Sequence, residues 1–374
     1  MRFFFLLFIS IIVVTGFADA QKKAAGNCTV IGYYAGSPTM IDSFPVEKLT
    51  HIIYSFCHLK GDSIWVSNAR DSLTIQRLVA LKSRNPQLKV ILSLGGWSGC
   101  ETCSAVFGEK KKRKIFAASV KGLADYFHTD GIDLDWEYPA ILGYPGHRFV
   151  PEDKYNFTQL VKQLRSTLGK QQEISFAAGG TKNYFDSSIE WKKIIRKVNR
   201  INLMSYDLVS GYAKVSGHHT PLYSTPHQQL SIDYGVEYLH TLGVPYKKIT
   251  IGAAFYARVF EDSLADNNGL YQPTRFKEGV SYKSFASKFL ADSGFVYHWD
   301  EIANAPYYFN AAKKLLVTCD DSTSIQLKTK YAVDKKLDGI MFWQLADDSF
   351  TNGLLDVMYA AKQDALLHSN KQLK

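Results

Sequence analysis

The feature that most limits what this chain can become is a rhythm. Eight short, apolar, β-rich segments recur at 29–35, 51–58, 89–94, 131–137, 173–178, 201–206, 248–256 and 339–345. Helical patterns lie between them, at 73–84, 112–128, 154–168, 188–198 and 232–242. Near-continuous apolar strands alternating with helices call for a parallel sheet covered by helices. Eight such units predict an α/β fold, a (β/α)8 TIM barrel. A doubly wound sheet is the runner-up. It would show a Gly-rich phosphate turn after an early strand, where this chain has Ala35-Gly36-Ser37-Pro38.

One connection breaks the rhythm. Beyond Arg258 the chain is rich in Tyr, Phe and Trp and has no sustained helical period until about 320. It reads as a small α+β insertion, 259–316, between strands seven and eight. With 374 residues, 46% hydrophobic and 21% charged, the chain has enough apolar material for one large domain over 21–374. The net charge of +9 is dispersed, which speaks against nucleic acid as a partner. Its one dense run, Lys110-Lys111-Lys112-Arg113-Lys114, opens a helical pattern and reads as a solvated face.

Residues 1–20 read as an export signal. Arg2 is a short basic start, 3–14 is an apolar run broken by Ser10, and Ala18-Asp19-Ala20 is a small-x-small cleavage site. The run is short for a membrane span; a retained anchor is the alternative. The expectation is a secreted monomer, extracellular or periplasmic, with no membrane contact after signal removal. Export permits disulfides. Cys28, Cys57, Cys100, Cys103 and Cys319 are odd in number, so at least one is a free thiol or bonds another chain. Cys100-Glu101-Thr102-Cys103 has the spacing of a redox pair or half a zinc site, but no partner pair accompanies it, and a loop disulfide is the better reading. Asn27-Cys28-Thr29 and Asn156-Phe157-Thr158 are glycosylation sequons. His218-His219 is a tempting metal pair, but neighbours on an extended loop diverge, and solvent exposure is expected.

The chemistry concentrates in Asp130-Gly131-Ile132-Asp133-Leu134-Asp135-Trp136-Glu137-Tyr138-Pro139. Alternate residues of a strand share a face. Asp133, Asp135 and Glu137 therefore point one way, and Ile132, Leu134 and Trp136 the other. On barrel strand four the apolar set packs on the outer helices, and the acids line the interior with Glu137 at the carboxyl end, where barrel active sites lie. Three buried like charges cannot all be ionised, so at least one proton is shared. A linear array of carboxylates is a poor metal cage, and neither metal nor cofactor is expected. A proton relay feeding a general acid is the better reading.

This D-x-x-D-x-D-x-E run resembles the signature of the family 18 glycoside hydrolases, the chitinases and their relatives. Ser93-Leu94-Gly95-Gly96 resembles the family's S-x-G-G, Met204-Ser205-Tyr206-Asp207 its M-x-Y-D, and Phe255-Tyr256-Ala257-Arg258 its F-Y-G-R, with Ala257 in place of Gly. Met341-Phe342-Trp343 is similar to the end of strand eight, and Tyr33 occupies the strand-one tyrosine position. The resemblance implies hydrolysis of β-1,4-linked N-acetylglucosamine by a retaining, substrate-assisted reaction in which the substrate's acetamide attacks C1. Glu137 would be the general acid, Asp135 would hold the acetamide N–H, and Asp133 would tune the relay with Ser93. Tyr206 would bond the acetamide, and Asp207 would position the distorted sugar. Trp343 would floor the cleavage subsite and Trp97 would stack a sugar beyond the bond. Tyr33, Phe56, Met204, Tyr256 and Arg258 complete the substrate-binding set, although Met204 also reads as wall packing and Tyr33 and Tyr256 as core. Trp136 has the wrong phase for the site. The implied partner is chitin or chitooligosaccharides. A chitinase-like lectin and an endo-β-N-acetylglucosaminidase acting on N-glycans are the alternatives.

Overall fold

The computed structural model describes residues 28–291 and 294–372; the segment read as an export signal lies outside them. Eight parallel strands close into a barrel. In chain order the barrel strands are β1 (Thr29–Tyr34), β2 (His51–Lys60), β4 (Lys89–Gly95), β5 (Gly131–Asp135), β6 (Glu173–Gly179), β7 (Ile201–Met204), β8 (Ile249–Ala254) and β14 (Gly339–Trp343). The ring runs β1-β14-β8-β7-β6-β5-β4-β2, and β1 pairs with β2 to close it. A short β3 (Ser63–Trp65) turns back on β2 as a hairpin. All eight expected strands are present. Of the expected helices, 188–198 is the exception: only Trp191–Ile194 is α-helical. The Lys/Arg run opens the helix Lys110–Phe127, but Arg113 is buried, donating to the Phe107 carbonyl at 2.5 Å.

Packing follows the strand alternation. Ile132, Leu134 and Trp136 face outward into the large core between barrel and helices. Trp136 lies among Phe107 and Phe157 with ring centroids 5.5 and 6.4 Å away. Inside the barrel a smaller cluster holds Ile31, Tyr33, Ile53, Ile91, Ala177, Met204 and Met341. The amino-terminal mouth is plugged by ions: Arg200 bridges Glu173 at 2.6 Å and Asp338 at 3.0 Å. Burial would push the Glu173 carboxyl up, but His51 and Arg200 outweigh it and hold it down at about 2.

The aromatic segment forms a second, antiparallel sheet. It contains β9 (Tyr256–Asp262), β10 (Thr274–Ser281), β11 (Val296–Asp300), β12 (Ala305–Asn310) and β13 (Leu315–Thr318), in the order β10-β9-β13-β12-β11. Tyr256 and Arg258 thus open β9 rather than end a barrel strand. Composition marks where the aromatics thicken, whereas strand pairing, Ser281 with Tyr256 and Thr318 with Arg258, begins before that point.

Cys100 and Cys103 form a disulfide, and Cys28, Cys57 and Cys319 are buried free thiols. Asn156 is buried on the helix Asp153–Leu168, which denies its sequon the exposure that glycosylation needs. Among the described residues no helix is long and apolar enough to cross a membrane.

Trp136→Ala is expected to destabilise the fold by about 3–5 kcal/mol, the usual loss for a buried large aromatic. Urea denaturation with an unchanged slope would read it. A loss under ~1 kcal/mol would reject the outward placement of Trp136.

Candidate active site

Barrel register builds the first layer. Ser93 on β4, Asp133 on β5 and Ser175 on β6 are direct partners across the sheet. All three point inward, at one height. The Tyr33 hydroxyl and Ser93 Oγ donate to Asp133 Oδ2 at 3.1 and 2.9 Å. Ser175 Oγ and Asn202 Nδ2 donate to Oδ1 at 2.6 and 3.1 Å. Asn202 also donates to the Tyr33 oxygen at 2.9 Å. Burial lifts the Asp133 carboxyl above its ordinary value, and these four donors limit the rise. Ser93 thus meets Asp133, as expected of a residue that tunes the relay, and Tyr33, expected in the substrate-binding set, meets it too. Ser175 and Asn202 escaped the sequence reading. Their signal was a polar residue at the inward phase of an otherwise apolar strand.

Asp135, next up the column, is also buried. Its Oδ1 has no hydrogen-bond partner. Burial first, then the Glu137 and Asp133 charges, push its carboxyl well above the usual range. Two glycines let the neighbouring chain close over it. Gly95 has φ 111°, and a Cβ there would lie 2.2 Å from the Asp135 carbonyl oxygen. The Gly96 amide donates to that oxygen at 3.0 Å.

Glu137 lies just past the end of β5, half-buried at the carboxyl mouth of the barrel. Burial raises its pKa to about 7; the Tyr138 hydroxyl pulls it down and the Asp207 charge pushes it up. The column is therefore a set of coupled acids that retains protons near neutrality, with Glu137 the member nearest the opening.

Asp207 faces the column from beyond β7. The Arg258 guanidinium grips both its oxygens, and the Tyr256 hydroxyl donates to Oδ1 at 2.7 Å. Burial would raise this carboxyl, but His219 and Arg258 outweigh it and hold it far below the ordinary range. Asp207 is thus a fixed charge, unlike Glu137. His219 Nδ1 is 3.6 Å from Asp207 Oδ1. His218 and His219 are fully buried, not exposed as expected. The loop after β7 tucks beneath the second sheet, where His218 Nε2 meets Asp300 Oδ2 at 3.0 Å. Among the described residues no group of three or more His, Cys, Asp or Glu is placed to hold a metal ion.

Aromatic rings frame the opening. Trp343 stacks on Phe56 at 5.5 Å and 14°, with Tyr33 6.0 Å away. Tyr206 is half-buried beside Gly252, where a Cβ would come 2.7 Å from its ring. Met204 is packed in the barrel interior. Trp97 is 39% exposed at the rim. Tyr138, Tyr144 and Tyr212 surround it at 6.3, 5.8 and 6.2 Å. Tyr144 and Tyr212 carry no motif and were missed.

A family model described as glycosyl hydrolases family 18 matches residues 29–348. Chitinase A1 of Niallia circulans is 28% identical over 414 residues, covering 90% of this chain and 59% of that protein. This chain therefore spans about three fifths of that relative's length. Among solved structures, a family 18 N-acetylglucosaminidase from Paenibacillus barengoltzii is 33% identical with a TM-score of 0.81, covering 90% of this chain and 100% of that one. A chitinase from Bacillus thuringiensis is 26% identical with a TM-score of 0.83, covering 90% and 70%.

Glu137 leads to a stability prediction with a definite sign. Its folded pKa of about 7 lies above the ordinary glutamate value of 4.5, so the folded state holds the extra proton between those limits. The contribution of this group to stability is full below the lower value and is lost as pH rises through the upper one. Glu137→Gln lacks this loss. Relative to wild type, its melting temperature is expected to rise from pH 4 to pH 8 and then level off. A difference independent of pH would reject the raised pKa.

Proposed function

The chain belongs to the family 18 glycosyl hydrolases, and from that membership we propose that it hydrolyses the β-1,4 linkages of chitin or chitooligosaccharides with net retention at the anomeric carbon. The observation that carries the reading is the contrast between two carboxyls at one opening. Glu137 is held protonated to about neutrality, while Asp207 is held ionised. A carboxyl poised near working pH is suited to protonate a glycosidic oxygen.

Asp135 supplies the second support. A buried carboxyl oxygen without a partner is costly unless a ligand brings a donor. The N–H of an N-acetyl group is such a donor. Held there, the acetamide is oriented for its oxygen to attack C1, forming an oxazolinium while Glu137 protonates the departing oxygen. Water then opens the ring, returning a proton to Glu137. Asp133 stays beneath as the anchored member of the column. Tyr206 bonds the acetamide, and Asp207 positions the distorted sugar. Trp343, on its Phe56 support, is a flat floor for the cleaved sugar, and Trp97 a platform beyond the bond. The apolar opening of the sequence and the Cys100–Cys103 disulfide support action outside the cytoplasm.

The Paenibacillus relative is named an N-acetylglucosaminidase, which favours a second reading: release of single sugars rather than internal cleavage. Products from chitohexaose separate the two. Early accumulation of monomer alone would select the second.

Glu137→Gln is expected to lower kcat on chitooligosaccharides about 10²–10⁴-fold while leaving oligomer affinity nearly unchanged. Retention of more than about a tenth of wild-type turnover would remove Glu137 as the acid. Early-time proton NMR of hexamer hydrolysis should show the β-anomer at the new reducing end. A dominant α-anomer would reject the acetamide route and make another carboxylate, Asp207 first, the base for a direct water attack.

A further inference from the structure

Asp207 has φ 56°, the left-handed region that L side chains rarely adopt. A strained residue of this kind persists only where its surroundings over-determine it. Arg258 and Tyr256 hold its carboxyl. Its backbone is held by a separate group of buried residues that the proposed reaction does not use.

The segment His219–Thr220 grips the chain on both sides of Tyr206 and Asp207. Thr220 Oγ1 donates to the Ser205 carbonyl at 3.0 Å, and the Leu208 amide donates to the His219 carbonyl at 3.0 Å. That segment is itself anchored. The His219 amide donates to Thr318 Oγ1 at 3.0 Å. Lys328, fully buried on the helix Ser322–Asp334, donates to the Thr220 carbonyl at 2.7 Å and to Thr220 Oγ1 at 2.8 Å. Its third proton goes to Asp320, also fully buried at the side chain. Asp320 in turn accepts from the Ala254 amide at 3.0 Å and from Ser324 Oγ at 2.7 Å. Ala254 ends β8, and the chain continues directly into Tyr256 and Arg258.

A buried ion pair is weak evidence for stability, because apolar residues of equal volume often serve as well. Here it does what apolar residues cannot: it joins two separate stretches of backbone by directed bonds. One stretch carries Tyr206 and Asp207, the other the Tyr256 and Arg258 that grip Asp207. We propose that Thr220, backed by the Lys328–Asp320 pair, is a positioning residue that fixes the backbone of Tyr206 and Asp207 for catalysis. The inference rests on the glycosidase reading of that site.

Thr220→Val removes the hydroxyl and keeps the shape, whereas Thr220→Ser keeps the hydroxyl. The valine variant is expected to lose about 10–100-fold in kcat on chitohexaose with KM changed less than about threefold, and the serine variant to stay within about threefold of wild type. In an Asp207→Asn background the valine penalty should vanish, since both changes act on one group. Backbone hydrogen exchange over 201–208 should accelerate in the valine variant and not in the serine variant. If the valine variant fails to fold, Thr220→Ala provides the same comparison. Unchanged exchange over 201–208, or faster exchange spread evenly through the barrel, overturns the proposal. So does a kcat loss that adds fully to that of Asp207→Asn. A wild-type protein that leaves chitohexaose intact defeats the glycosidase reading, while the exchange comparison still decides the strut.

Discussion

Three carboxyl groups on one face of one strand repel each other, and the barrel interior offers them little water. That constraint organises the site. Asp133 sits deepest, where register brings Ser93 and Ser175 level with it and two more donors, from Tyr33 and Asn202, complete its coordination. Burial raises all three carboxyls, and at Asp135 the Glu137 and Asp133 charges add to the rise. Asp135 is raised well above its ordinary range, and Glu137 to about 7. The acidity at the mouth is set first by burial, with the Tyr138 hydroxyl pulling it down and the Asp207 charge pushing it up.

Opposite stands a carboxyl treated in the reverse way. Asp207 is buried too, yet His219 and Arg258 keep it ionised. Two acids at one opening acquire opposite protonation preferences because one has a guanidinium and the other does not. The arrangement joins two sheets, since Arg258 belongs to the antiparallel sheet and Asp207 follows a barrel strand. The buried Lys328–Asp320 pair links Thr220, beside the Asp207 segment, to the end of β8, just before Tyr256 and Arg258. The second sheet is therefore part of the framework that holds Asp207.

The barrel and its acid column were legible because periodicity is local information. Eight apolar segments between helical patterns predict a closed parallel sheet, and alternation alone puts Trp136 outside and Asp133 and Asp135 inside. Polar partners were harder to see. Ser175 and Asn202 each sit alone in an apolar strand, with no signal that they converge on one carboxylate. His218 and His219 were misread as exposed, because the loop that carries them looks polar until the second sheet covers it. Tyr144 and Tyr212 reach Trp97 from different loops, and no motif marks either.

The sequence by itself determined the fold class, the strand that bears the acids, the face they occupy and the end at which Glu137 stands, since each follows from residue type and a fixed repeat of two or 3.6. Tertiary structure decided which acid keeps its proton. Protonation depends on burial and on the charges and donors nearby, and these arrive from strands and loops far apart in the chain. Arg258 meets Asp207 across 51 residues, and Thr220 meets Lys328 across 108. No local pattern encodes such meetings; they exist only once the barrel has closed.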